Sequence, residues 1–168
     1  MKVRAASLDD CRAVADVHVA SWQAAYAGIL DPAFLGGLSI DRREQSWRQI
    51  LAEGNSELLV GLEGACTVGF ASLGASRDAD ALPGCGELMA LYVHPRSWTT
   101  GVGRELWLAA RNRLEQQGFS SVTLWVLERN LRAIGFYSAA GFTMDAGSVK
   151  DIDVAGTTLR EVRMVRAS

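Results

Sequence analysis

The residues with the clearest spacing for chemistry are Gly101-Val102-Gly103, which lie between a stretch of strand character and one of helical character. Upstream, the mainly apolar run from Glu87 to His94 is stopped by Pro95, which has no N–H for a ladder and biases His94 towards an extended backbone. Downstream, Gly103, Leu106, Trp107, Ala110 and Leu114 recur at helical spacing. A glycine turn there leaves the first N–H groups of the helix without internal partners and lets another group come close, an arrangement that suits phosphate. A dinucleotide-binding turn needs a third glycine where this chain has Leu106, and a Walker loop needs Gly-Lys-Ser/Thr where Gly103 is followed by Arg104-Glu105. Two readings remain: a tight turn without a ligand, or a phosphate loop of another kind.

A second stretch reads Leu124-Trp-Val-Leu-Glu-Arg-Asn130-Leu-Arg-Ala133-Ile-Gly-Phe136-Tyr137-Ser-Ala-Ala-Gly141-Phe142. In order and register the two stretches resemble the signatures of the GNAT superfamily of acetyl-CoA-dependent N-acyltransferases. The first signature is Arg/Gln-x-x-Gly-x-Gly/Ala after a strand ending in Val-x-Pro. The second is a strand followed by Asn-x-x-Ala and a helix ending in Phe-Tyr-x-x-x-Gly-Phe. The resemblance runs from about Arg4 to Arg166 and includes Ser21-Trp22 through Tyr26-Ala-Gly28. It departs at Trp98, where the family carries Arg or Gln, and at Thr99, where a small residue is usual. The resemblance implies an α/β fold with a mixed central sheet whose two parallel central strands splay apart. A pantetheine arm then enters the gap like an extra strand. It also implies acetyl-CoA as co-substrate, without a metal. The donor would be held by the main chain of Leu91, Tyr92 and Val93, by the loop Trp98-Thr99-Thr100-Gly101-Val102-Gly103-Arg104, and by Asn130, Ala133 and Tyr137.

Acyl transfer from a thioester to an amine needs a base for the amine, a donor for the oxyanion and a proton for the thiolate. A primary alkyl amine has a pKa of about 10.4 and arrives protonated near neutrality. Glu87 is the expected base; strand alternation places it with Met89, Leu91 and Val93, and family members with a glutamate base often carry it at this strand position. At about 3.3 Å per residue it lies roughly 13 Å of strand from Leu91, so water would relay the proton. The alternative is a solvated carboxylate at the start of the strand. Main-chain N–H groups near Leu91 to Val93 would meet the oxyanion. The resemblance makes Tyr137 the proton donor to the thiolate, a phenol that stays protonated near neutral pH, with core packing as its alternative. Asn130 caps the next helix in either case. Cys85 as an acylated nucleophile has no adjoining histidine or cationic cluster, and two distant histidines offer no metal-ligand spacing.

These groups need a frame. Lys2 to Ala6 reads as a strand, Ser7 with Asp10 marks a helix start, and Cys11, Val14, Ala15, His18, Trp22, Ala25 and Tyr26 form one helical stripe ended by Gly28. His18 reads as a satisfied core histidine; Trp22 and Tyr26 either pack or line an acceptor pocket with Glu87. Asp31-Pro32 caps a short helix, and Ser39 opens another that runs to Gly54-Asn55, a lid-like segment for acceptor choice. Ser56 to Glu63 and Cys66 to Leu73 form a hairpin, and Gly74 to Cys85 is a loop whose Asp78 and Asp80 are either solvated or attract a cationic amine. Beyond the glycine turn, Gly118 stops the helix and Val122 to Val126 is a strand parallel to Glu87 to His94. Leu131 to Ala140 is a helix, and Phe142 to Val154 with Thr157 to Arg166 is a closing hairpin.

With 168 residues, 49% hydrophobic and 21% charged, the chain suits one domain spanning 1–168. A net charge of −2, with Lys and Arg scattered, argues against nucleic acid. Met1-Lys-Val-Arg-Ala lacks an apolar signal core and no run approaches a membrane span, so a cytoplasmic protein is expected. Cys11, Cys66 and Cys85 read as reduced thiols. The expected partner is a small-molecule or peptide amine, a homodimer is allowed, and the alternative class is a non-catalytic acyl-CoA sensor on the same fold.

Overall fold

The computed structural model describes residues 1–167. Seven strands form one sheet: β1 (Lys2–Ala5), β2 (Glu57–Glu63), β3 (Cys66–Ala75), β4 (Cys85–Val93), β5 (Ser121–Leu127), β6 (Thr143–Val154) and β7 (Thr157–Ala167), in the order β1-β2-β3-β4-β5-β7-β6. All neighbours are antiparallel except β4 and β5. This is the mixed α/β sheet expected of the GNAT fold. On one face lie α1 (Cys11–Ala25), α2 (Pro32–Gly36) and α3 (Ile40–Glu53); on the other, α4 (Val102–Gln116) and α5 (Leu131–Ala139).

Local sequence accounts for most boundaries. The Ser7 N–H donates to Asp10 Oδ2 at 2.7 Å, a capping box that opens a 3₁₀ turn and then α1. Asp31 accepts from the N–H groups of Ala33 and Phe34, and Ser39 from that of Arg42, so α2 and α3 both start where a side-chain oxygen meets orphan donors. Neither helix lines the cavity between β4 and β5, which leaves the expected lid without a contact to it. Gly28 does not end α1. The helix closes at Ala25, with the Tyr26 N–H on the Trp22 carbonyl, and Gly28 lies in the turn that follows. Gly74, Ala75 and Cys85, expected in a loop, belong to strands because Gly74 pairs with Glu87 and Ala75 with Gly86.

Two cores sandwich the sheet. Trp107, Ala110 and Leu114 of α4 are sealed against Leu88, Val122 and Leu124, and Leu106 of the same helix against Val68, while Val14, Val17 and Trp47 pack on Phe70 from the other face. Burial of one such leucine contributes about 1.5–3 kcal/mol. Gly69 allows the closest approach: a Cβ there would stand 2.8 Å from Leu106 Cδ1 and 2.9 Å from the Tyr92 carbonyl oxygen.

One irregularity redirects the site. Leu73 pairs with Leu88 but Ser72 with Ala90, so Met89 is an extra residue in β4. The bulge inverts the alternation beyond it. Glu87 therefore shares a face with Ala90 and Tyr92, not with Met89, Leu91 and Val93 as simple alternation predicts; Leu88 and Leu91 pack in the α4 core.

Candidate active site

The parallel pair β4 and β5 is joined at Cys85↔Ser121, Gly86↔Val122 and Glu87↔Thr123, and no further. Past Glu87 the two strands part around a cavity of about 480 Å³, lined by both strands, the loop before α4, the start of α5 and Tyr26 from the end of α1. The His94 N–H donates to the Val68 carbonyl at 2.8 Å, which makes Gly69 and Val93 a non-hydrogen-bonded pair of the β3–β4 ladder. The main-chain groups of Val93, and of Leu91 two residues back, consequently face the opened seam, while those of Tyr92 face β3. The Val93 carbonyl is already met by Ser21 Oγ at 2.8 Å and Trp98 Nε1 at 2.7 Å. What the strand offers the seam is the Leu91 amide and carbonyl and the Val93 N–H.

Below the seam, Pro95 opens a 3₁₀ turn capped by His94, and the chain reaches α4 through two left-handed residues, Thr99 (φ 65) and Gly101 (φ 94). Gly101 takes that conformation without strain; for Thr99, β-branched, it costs about 1–3 kcal/mol, the kind of strain found where a loop is shaped for a ligand. Gly103 occupies the first turn of α4, where a Cβ would sit 3.4 Å from the Phe136 ring. Thr99, Gly101, Gly103 and Arg104 line the cavity; Thr100 and Val102 do not, the first bonding the Ser97 carbonyl and the second packing under the sheet. Trp98 lines it with its ring, because its N–H is spent on Val93.

From α5 come Asn130, Ala133 and Tyr137. Asn130 caps the helix, Oδ1 accepting from the Ala133 N–H at 3.2 Å, which leaves its amide NH₂ at the cavity wall. Tyr137 is 9% exposed, wedged between Phe136 and Phe142, and burial raises its pKa above that of a free phenol. It stays a proton donor across the neutral range. The hydroxyls of Tyr26 and Tyr92 are likewise pushed up by burial.

At the far end Glu87, 2% exposed, is gripped by Arg77: the Arg77 N–H and Nε donate to Oε2 at 2.9 and 3.1 Å, and Nη2 to Oε1 at 2.5 Å. The pair raises the pKa of Arg77. Glu87 is therefore neither solvated nor free, and strand order alone gave no sign of Arg77. Glu161 of β7 lines the same cavity, 3.3 Å from Lys150 Nζ, which also sits 4.1 Å over the Trp125 ring. No periodicity marks Glu161 or Lys150 in the sequence; Arg132 is different, since it stands inside Asn130-x-x-Ala133.

Asp78 and Asp80 are held as well. Arg163 donates to both Asp80 oxygens at 2.7 and 2.8 Å, and Asp78 takes Arg163 Nη1 at 3.3 Å and Trp125 Nε1 at 2.9 Å. The acidic loop is fastened to the sheet and leaves those two carboxylates compensated. Trp22 stands behind Tyr26, their rings 5.0 Å apart and edge-on, with Arg43 over the indole; Tyr26 is the one that reaches the cavity. Cys85 is buried beside Gly86 and Thr123 and does not line it.

Residues 22–142 match the sequence model of the acetyltransferase (GNAT) family. The chain is 33% identical over 160 residues to the uncharacterized N-acetyltransferase YuaI of Bacillus subtilis, a match covering 95% of this chain and 89% of that protein. It is 30% identical over 147 residues to the probable N-acetyltransferase Rv2775 of Mycobacterium tuberculosis, over 86% of this chain and 81% of the other. In three dimensions it superimposes on the crystal structure of PaiA N-acetyltransferase from Thermoplasma acidophilum in complex with coenzyme A, with a TM-score of 0.76, 21% identity, and coverage of 99% and 98% of the two chains.

Proposed function

The chain belongs to the GNAT acetyltransferase family, and from that premise we propose that it moves an acetyl group from acetyl-CoA to a primary amine of a small molecule or peptide, by direct attack in a ternary complex. One observation carries the reading: the seam between β4 and β5 stays unpaired beyond Glu87 and runs into the open N-terminus of α4. A thin amide-bearing arm fits the seam and its phosphates fit the glycine turn. The residues present suit that donor, since Gly101 and Gly103 clear the approach, helix amides and Arg104 face it, and Leu91 offers both a donor and an acceptor along the strand. Acetyl-CoA supplies an activated acyl group as a thioester.

The chain's own groups then divide the work. The Val93 and Leu91 N–H groups are donors for the oxyanion, fixed in direction by the sheet and so needing no reorganisation. Tyr137 gives its proton to the departing thiolate. The amine's proton passes through water to Glu87, which keeps a lone pair on Oε1 beyond its bond from Arg77 Nη2. Glu161 is the second reading for this base, favoured by its single Lys150 contact against the three donors on Glu87. Titration calorimetry with acetyl-CoA and CoA, followed by a thiol-release assay over a panel of amines and peptides, tests the proposal. Micromolar binding with turnover of at least one amine is expected; no binding at millimolar ligand sinks it.

A further inference from the structure

The loop before α4 lacks the family's Arg or Gln, and the side chain that replaces it cannot do that job, because Trp98 Nε1–H donates to the Val93 carbonyl at 2.7 Å. The bond nevertheless has an effect. It pins the indole at the end of β4 with one face turned to the start of α5. On that face lies the guanidinium of Arg132, its Cζ 3.5 Å from the ring centroid.

We propose that Trp98 and Arg132 form a two-part anion clamp, in which Arg132 supplies the cationic donor for the donor's pyrophosphate and Trp98 is the platform that holds it over the glycine turn. Both line the cavity alongside Gly101, Gly103 and Arg104. The cations there fall into two groups. Arg77 and Lys150 are paired with Glu87 and Glu161, whereas Arg104 and Arg132 have no carboxylate partner among the described residues. The two uncompensated cations thus sit at the helix-terminus end, where phosphate is expected, and the two compensated ones at the acceptor end. Stacking uses the face of the guanidinium and leaves its in-plane N–H groups free to donate to an oxyanion, so the platform orients Arg132 without consuming it. Arg96 is exposed and stands outside the cavity. The clamp ties the loop 98–103 to α5, two segments that each contribute one half of a function held elsewhere by one residue.

This rests on acetyl-CoA being the donor, and the test separates the two. Affinities for CoA and for pantetheine, which lacks the phosphates, are measured for wild type, Arg132→Ala, Trp98→Ala and the double variant, at low and high salt. Arg132 is exposed, so Arg132→Ala is expected to fold like wild type. Loss of one charged hydrogen-bond donor corresponds to about 10- to 100-fold weaker CoA binding. The expected pattern is that loss in Arg132→Ala, shrinking in high salt, a similar loss in Trp98→Ala, a double variant within a few-fold of Arg132→Ala alone, and pantetheine unaffected throughout. Wild-type CoA affinity in Arg132→Ala, equal loss for pantetheine, or losses that multiply in the double variant overturns the clamp while leaving the donor assignment intact. Wild type that binds no CoA overturns both.

Discussion

Acid should destabilise this protein through one buried ring. His18 lies in the first helix, 7% exposed, stacked on Tyr92 at 5.0 Å, its Nδ1 accepting from Trp47 Nε1 at 3.1 Å and its Nε2 buried without a partner. Burial, with a smaller push from the Arg43 charge, lowers its pKa from 6.5 to about 3. The unfolded chain therefore takes up a proton near pH 6.5, which the folded chain refuses until far lower. The contribution is complete above pH 6.5 and is lost as pH falls towards about 3. At about 1.4 kcal/mol per pH unit, roughly 2 kcal/mol is gone by pH 5, or a Tm lowered by about 4–8 °C for a chain of this size. Calorimetric or urea unfolding at pH 7, 6 and 5 and constant ionic strength measures it. The one other histidine, His94, is also depressed by burial, so His94→Gln serves as a control. Asp10, with its pKa near 2 because Arg4 bonds it, adds its own loss only below about pH 4, outside the window. His18→Gln should lower absolute stability but flatten the slope between pH 7 and 5. If wild type and His18→Gln lose stability in parallel, the ring is not the proton site and the reasoning fails.

Tyr137→Phe should reduce kcat by 10-fold or more with CoA affinity nearly unchanged, because general acid catalysis is worth about 10²–10⁴ and the ring's packing is kept; an unaltered kcat returns the phenol to a packing role. Glu87→Gln places an amide NH₂ among the three donors of Arg77 and should lower the Tm as well as kcat/KM. Its pH–rate profile, compared with that of Glu161→Gln, names the base: the variant that loses the acidic limb identifies it, and retention of that limb in both sinks both assignments.

The parts of the site that were legible in the sequence are those written along the chain. Strand, glycine turn and helix and the Asn130 cap follow from local spacing, while Tyr137 and the seam between the fourth and fifth strands followed from the family resemblance. What escaped depends on partners far apart in sequence. The Met89 bulge is visible only against the third strand, yet it decides which face Glu87 occupies. Asp78 and Asp80 read as solvated or as open to an amine until Arg163, more than eighty residues away, is seen to hold them. The role of Trp98 was hidden for the same reason, since an indole spent on Val93 and covered by Arg132 has no signature of its own.

The unpaired seam also bears on how such a protein stays out of trouble. Open backbone edges invite strands from other chains, and most proteins guard them at the rim of a sheet with charge, proline or a bulge. Here the open edge is internal to a sheet that carries helices on both faces, and Tyr26, Trp98 and Tyr137 line it. A polypeptide strand carries side chains alternately up and down and cannot slide edgewise into such a slot, whereas an unbranched amide chain can. The slot therefore filters by cross-section before any hydrogen bond is formed, and the feature that exposes the backbone also protects it from the wrong partner.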